Sequence, residues 1–185
     1  METVTLKYGR SKIELKIPSR NLKGFFAPPE PTSTRSNVEM IREALAHPAG
    51  EELKFLCQGK KVNFCLEDAT RPTSHLEVVR CLLEEMRAAE SIRILISTGT
   101  HDANTTDNLQ LKESIESLIR EMGFGQAEVK IHNCIQSNYV YRGDTTRGTP
   151  IEINAWLSGG DLFVIASDMK PHYFAGYSNP VKHIL

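Results

Sequence analysis

KVNFCLEDATRPTSHLEVVRCLLEEMRAAESIRILISTGTH, residues 61–101, decides the fold. Residues 62–66 (VNFCL) are an apolar run of the length of a buried strand, closed by the polar stretch EDATRPTS at 67–74. Ser74 with Glu77 three residues later has the form of a capping box, and Leu76, Val79, Leu83 and Met86 follow at helical spacing. Residues 92–97 (IRILIS) form a second apolar strand that ends in TGTHDANTTD. Strand, helix and strand in succession read as a βαβ unit, which requires parallel pairing.

Working outward, the pattern repeats. Leu111, Ile115, Leu118, Ile119 and Met122 form a helical stripe stopped by Gly123, and residues 128–132 read as a third strand. Residues 133–150 read as an irregular, Gly- and Thr-rich loop, 155–157 as a short helix, and 162–166 (LFVIA) as a fourth buried strand. Upstream, Ser36 and Glu39 form a capping box for a helix lined by Val38, Ile41 and Leu45 and ended by His47-Pro48. Before it lie a Pro-rich connector at 25–31 and a hairpin in which Val4, Leu6, Tyr8 and then Ile13, Leu15, Ile17 alternate about Gly9-Arg10. The expected fold is α/β: a mainly parallel, Rossmann-like sheet with flanking helices, preceded by an N-terminal β-hairpin. The expected organisation is one domain over 1–185, with the hairpin and connector in 1–35 and the strand–helix units in 36–185.

Composition narrows the function. Apolar residues make up 40% of the 185, enough for a core. With 22 Lys+Arg against 23 Asp+Glu the net charge is −1, which argues against a nucleic-acid partner held by phosphate neutralisation. No run approaches the roughly 18 apolar residues of a membrane span, and the alternating, charged start METVTLKYGRSKIELKIP is not a secretory signal. A cytoplasmic protein is expected. Cys57, Cys65, Cys81 and Cys134 are scattered, without metal-ligand spacing, and are expected to be mostly buried and reduced.

Ligands of parallel sheets bind beyond the carboxyl ends of the strands. Asp68, Thr70 and Arg71 follow the first strand, Thr98, Thr100 and His101 the second, and Asp168, Lys170 and His172 the fourth, so three loops converge on one edge. Arg71 has two readings: it braces the turn by pairing with Asp68, or it grips a carboxylate or phosphate beside the helix terminus that Thr73 and Ser74 begin. His101 is either a loop histidine bonded to backbone or an acid/base group that titrates near neutrality. The segment DMKPHYFAGYSNPVKH, 168–183, has no periodicity that explains its aromatics: it is either a surface loop with a solvated lysine, or it places His172 as an acid or base and Lys182 as a nucleophile if desolvated. His47, His75, His132 and His183 read as structural. GDTTRGTP, 143–150, is a further anion-binding candidate through its backbone N–H groups and Arg147, although neither a P-loop nor a GxGxxG fingerprint occurs.

Taken in order, DATRPTS, STGTH, GDTTRGTPIEIN and DMKPHYFAGYSNPVKHIL resemble the N-terminal domain of the nickel-dependent lactate racemase family over about residues 60–185. The resemblance implies an isomerase, a racemase or epimerase of 2-hydroxy acids, that uses a nickel-pincer nucleotide, a modified pyridinium mononucleotide joined to a lysine through a thioamide. It matches Lys182 to that lysine, His101 and His172 to two alternating acid/base histidines, and Asp68, Thr70 and Arg71 to residues near the cofactor and the substrate carboxylate. No protein metal ligand is expected within this chain, because the family's nickel-binding histidine lies further along. A C-terminal domain and cofactor-biosynthesis enzymes are the implied partners, and the chain alone is expected to lack the cofactor and to be inactive. Two departures stand out: Ser178-Asn179-Pro180-Val181-Lys182 replaces the family's small-Gly-Gly-Arg-Lys run, and Asp102 follows His101 where the family carries a basic residue. The competing class is a non-catalytic domain that binds an anion or nucleotide at the same edge. A lysine Schiff-base enzyme using pyridoxal phosphate is a third.

Overall fold

The computed structural model describes residues 1–26, 33–172, 176–178 and 180–184, without the side chains of His172, Val181 and Lys182. The chain divides into two compact units, Met1–Thr34 and Arg35–Leu185. The first holds the expected hairpin, β1 (Glu2–Tyr8) paired antiparallel with β2 (Ser11–Ile17), with Tyr8 opposite Ser11 across the Gly9-Arg10 turn.

The second unit is the α/β body. Its parallel sheet has the order β5-β4-β3-β8, made of β3 (Lys61–Glu67), β4 (Ser91–Ser97), β5 (Ala127–Ile131) and β8 (Leu162–Ala166). Between the strands run α3 (His75–Glu85) and α4 (Thr106–Met122), while α1 (Asn37–Ala46) and the one-turn α2 (Leu53–Leu56) precede them.

Strand alternation sends two sets of side chains to opposite faces. Val62, Phe64 and Leu66 with Ile92, Ile94, Ile96 and Val129 pack against Val79, Leu83 and Met86 of the α3 segment and Ile115, Leu118 and Ile119 of α4, forming the main core. The other face is smaller and mixed. Cys65 and Leu95 pack on Leu157 from the 3-10 turn Ala155–Leu157, and polar neighbours bolt that turn down. Asn63, only 1% exposed, donates from Nδ2 to the Leu157 carbonyl at 2.6 Å, and Arg93 donates to the carbonyls of Trp156 and Ser158 at 3.0 and 3.1 Å.

Two expectations need correction. Residues 133–150 are not all loop: β6 (Tyr139–Asp144) and β7 (Pro150–Asn154) form an antiparallel ribbon with an irregular register between Tyr141 and Asp144. A ribbon exposed on much of both faces needs little apolar alternation, so the usual strand signal is weak there. Ser74 also forms no capping box. Its side chain makes no cap bond; instead Asn37 of α1 donates to Ser74 Oγ at 2.6 Å and to Glu77 Oε2 at 3.0 Å, a tertiary contact displacing a local one. The Ser36–Glu39 box is present as read. Cys57, Cys65 and Cys81 are buried packing residues, whereas Cys134 is exposed. Among the described residues no helix is long and apolar enough to cross a membrane.

Candidate active site at the strand ends

The carboxyl ends of β3, β4, β5 and β8 open into a cavity of about 510 Å³, within the ~300–1,000 Å³ usual for small-molecule and cofactor sites. Asp68, the first residue after β3, is 2% exposed, and both its oxygens are engaged. His101 Nδ1 lies 2.7 Å from Asp68 Oδ2, and Thr70 Oγ1 donates to Asp68 Oδ1 at 2.7 Å. His101 is positioned by a tight turn after β4 in which its N–H donates to the Thr98 carbonyl at 3.0 Å; Gly99, at φ 58, takes the left-handed conformation this turn needs. Because an ionised carboxylate only accepts, His101 Nδ1 carries the proton and the Nε2 lone pair is left for the cavity. The His101 side chain is 48% exposed against 3% for Asp68, so a buried anion holds an accessible imidazole.

Buried polar side chains tie the loops together. Asn108, on the first turn of α4 and fully buried, accepts from Ala69 N at 3.0 Å and donates to the Asp102 carbonyl at 3.0 Å, joining the loops after β3 and β4. Glu67, 6% exposed, accepts from Thr73 Oγ1 at 2.8 Å and from Asp168 N at 2.9 Å, joining the loops after β3 and β8. Beyond β8, Asp168 is ion-paired with Lys170, and Ser178 accepts from Lys170 N.

The carboxylates Glu67, Asp68 and Asp168 therefore already have partners, while Arg71 does not pair with Asp68. Arg71 lines the cavity, and its side chain has no partner among the described residues. The reading in which Arg71 braces the turn by pairing with Asp68 is thereby corrected. Thr73 and Ser74 are turned to Glu67 and Asn37, so the start of α3 is not the anion cradle. GDTTRGTP is corrected too. Its amides bond within the turn between β6 and β7, with Thr145 N to the Thr149 carbonyl, Gly148 N to the Thr145 carbonyl, and Arg147 N and Thr149 N to Thr145 Oγ1.

Asp68, Arg71 and His101 thus meet in one cavity, and Thr70 joins them through Asp68. The side chains of His172 and Lys182 lie outside the described residues; their neighbours Pro171 and His183 line the same cavity. Glu67, His132, Tyr139, Glu152 and Asn154 also line it, and sequence reasoning did not assign them to a site. For His132 a signal existed, since it follows β5 directly. For Asn154 and Glu152 none did, because their ribbon was read as loop. Among the described residues no group of three or more His, Cys, Asp or Glu is placed to hold a metal ion.

The sequence matches the family described as the lactate racemase N-terminal domain over residues 8–185. The chain belongs to that family. It is 29% identical to a lactate racemase of Thermoanaerobacterium thermosaccharolyticum and 27% identical to one of Lactiplantibacillus plantarum, in each case over 193 aligned positions that take in the whole chain. The chain spans 44% of the length of each relative.

Proposed function

We propose that this chain is the N-terminal catalytic part of a racemase or epimerase of 2-hydroxy acids. The observation that carries the reading is the Thr70–Asp68–His101 array, which presents an imidazole lone pair to a cavity where the Arg71 side chain has no partner among the described residues. Arg71 grips the substrate carboxylate as a two-pronged donor and fixes C2 against the histidines. His101 Nε2 takes the hydroxyl proton while the C2 hydrogen departs with its bonding pair, leaving a 2-oxo acid. Asp68 stabilises the imidazolium that forms, and Thr70 holds Asp68 in register. His172 performs the same exchange for the opposite enantiomer, so hydrogen returned to the other face completes racemisation.

The cavity has room for a cofactor beside the acid, and three of the carboxylates that line it, Glu67, Asp68 and Asp168, are already engaged and add little repulsion toward an anionic group. Lys182, with Asp68 and Thr70, would hold the nickel-pincer pyridinium nucleotide, which would supply a reversible acceptor for the C2 hydride. A C-terminal domain completes the pocket, and enzymes that make the cofactor are the partners.

The test is the protein at the full length of its relatives, coexpressed with cofactor-making enzymes. The expected result is a covalent adduct and nickel on Lys182 by intact-mass and metal analysis, with conversion of one 2-hydroxy-acid enantiomer into the other. Substrate deuterated at C2 should yield racemised product that keeps the label. An unmodified, nickel-free protein would refute the cofactor assignment. Acid binding without any inversion at C2 would reduce the chain to a binding domain.

A further inference from the structure

The cavity holds a second described imidazole whose proton sits on the opposite nitrogen from that of His101. His132 follows β5 and is fixed at its backbone, with its N–H donating to the Ile96 carbonyl at 2.9 Å and its own carbonyl accepting from Thr98 Oγ1 at 2.7 Å. Its Nδ1 lies 3.0 Å from Asn154 Nδ2. The Asn154 amide is not free to flip. Its Oδ1 accepts from Trp156 N at 2.9 Å, and a backbone amide can only donate. The other amide atom is therefore the NH₂, which also reaches Ser137 Oγ at 3.2 Å. Facing a donor, His132 Nδ1 must accept, so the ring proton resides on Nε2. The Tyr139 ring stands nearly perpendicular to the imidazole, 6.1 Å away centroid to centroid.

Burial lowers the His132 pKa from its ordinary value, in the same direction as the Asn154 contact, which opposes a proton on Nδ1. Glu152 and Tyr139 are the titratable side chains that line the cavity with it from the adjoining ribbon, and neither bonds Nε2. Nε2–H thus has no partner among the described residues.

We propose that His132 is a substrate-binding residue that donates Nε2–H to an acceptor oxygen, carboxylate or keto, of the acid in this cavity, and that Asn154 is the positioning residue that sets its tautomer. The cavity then offers one imidazole that accepts, His101, and one that donates, His132. The identity of the ligand as a 2-hydroxy or 2-oxo acid rests on the function proposed above; the tautomer does not.

The experiment is nitrogen NMR of the protein at the full length of its relatives, labelled with 15N-histidine, with pyruvate and lactate as probes. Expected at neutral pH are a protonated Nε2 and an unprotonated Nδ1 for His132, the reverse pattern for His101, and a shift of His132 Nε2 on adding pyruvate. Asn154→Asp, which puts an acceptor opposite Nδ1, should move the His132 proton to Nδ1. His132→Gln, whose amide reaches the Nε2 position, should keep probe affinity within a few-fold, while His132→Asn should lose about 10-fold or more. A proton on Nδ1 of the wild-type ring would overturn the proposal. So would equal losses in the Gln and Asn variants, both shown folded by their amide spectra, or a His132 signal silent while that of His101 responds. Silence of both histidines would overturn the acid-binding part and count against the racemase reading, leaving only the tautomer standing.

Discussion

Asp68 shows how one buried carboxylate decides the behaviour of its neighbours. It is placed by β3, closed off by Thr70 and His101, and denied to Arg71. Replacing it with Asn keeps the shape but removes the charge, and the Asn154–His132 contact shows that an amide NH₂ forces the facing Nδ1 to accept. Asp68→Asn in the full-length holoprotein is expected to lower kcat by roughly 10²–10⁴-fold, the usual range for losing a positioned acid or base, with a much smaller change in KM. Steady-state kinetics on both enantiomers measures this, and an unchanged kcat would remove His101 from the mechanism. Asp68, Arg71 and His101 were legible in the sequence because each follows an apolar run. Their pairing was not, since Asp68 and His101 lie 33 positions apart and nothing local distinguishes that partner from Arg71 three residues away.

At the scale of elements, the second face of the sheet depends on a close approach. A Cβ added at Gly160 would lie 2.1 Å from Asn63 Nδ2 and 2.6 Å from Asn63 Cγ, and Asn63 is itself held by the Leu157 carbonyl. Gly160→Ala is expected to cost about 1–3 kcal/mol through this overlap, read as a lower urea midpoint with a similar slope. The double variant Gly160→Ala, Asn63→Ala should lose less than the sum of the singles, because the clash disappears with the side chain. The segment that Asn63 and Arg93 tether leads back through Asn154 to the cavity, so this packing also bears on His132. Sequence periodicity located the four sheet strands and both crossover helices. It missed the ribbon of β6 and β7, whose tyrosines Tyr139 and Tyr141 are exposed, and it misassigned Ser74, whose partner Asn37 sits on a different helix.

Across the α/β unit as a whole, burial on both faces of the sheet couples folding to a thiol. Burial pushes the Cys65 pKa from 9.0 to about 12, against the pull of the Ser97 hydroxyl alongside. A group whose pKa is raised by folding contributes stability that is present below its unfolded pKa and is lost as pH rises toward the folded value. Unfolding free energy is therefore expected to decline between about pH 9 and 12, with a limiting slope near 1.4 kcal/mol per pH unit from this one group. Cys65→Ala should be less stable at neutral pH yet show a shallower alkaline decline, measured by denaturant titration across that window. The same burial predicts the order of alkylation: Cys134 reacts in the native protein, whereas Cys57, Cys65 and Cys81 react only on unfolding.

The alternation of apolar strands with amphipathic helices was enough to dictate a parallel α/β sheet, and the strand-end rule then nominated a site edge, because both follow from local periodicity and chain direction. Tertiary contact alone decided which carboxylate serves which imidazole and on which nitrogen each proton rests. Those choices depend on donors and acceptors brought together across 33 residues at His101 and Asp68, and across 22 at His132 and Asn154. No local pattern encodes which of two polar neighbours gives the proton and which receives it.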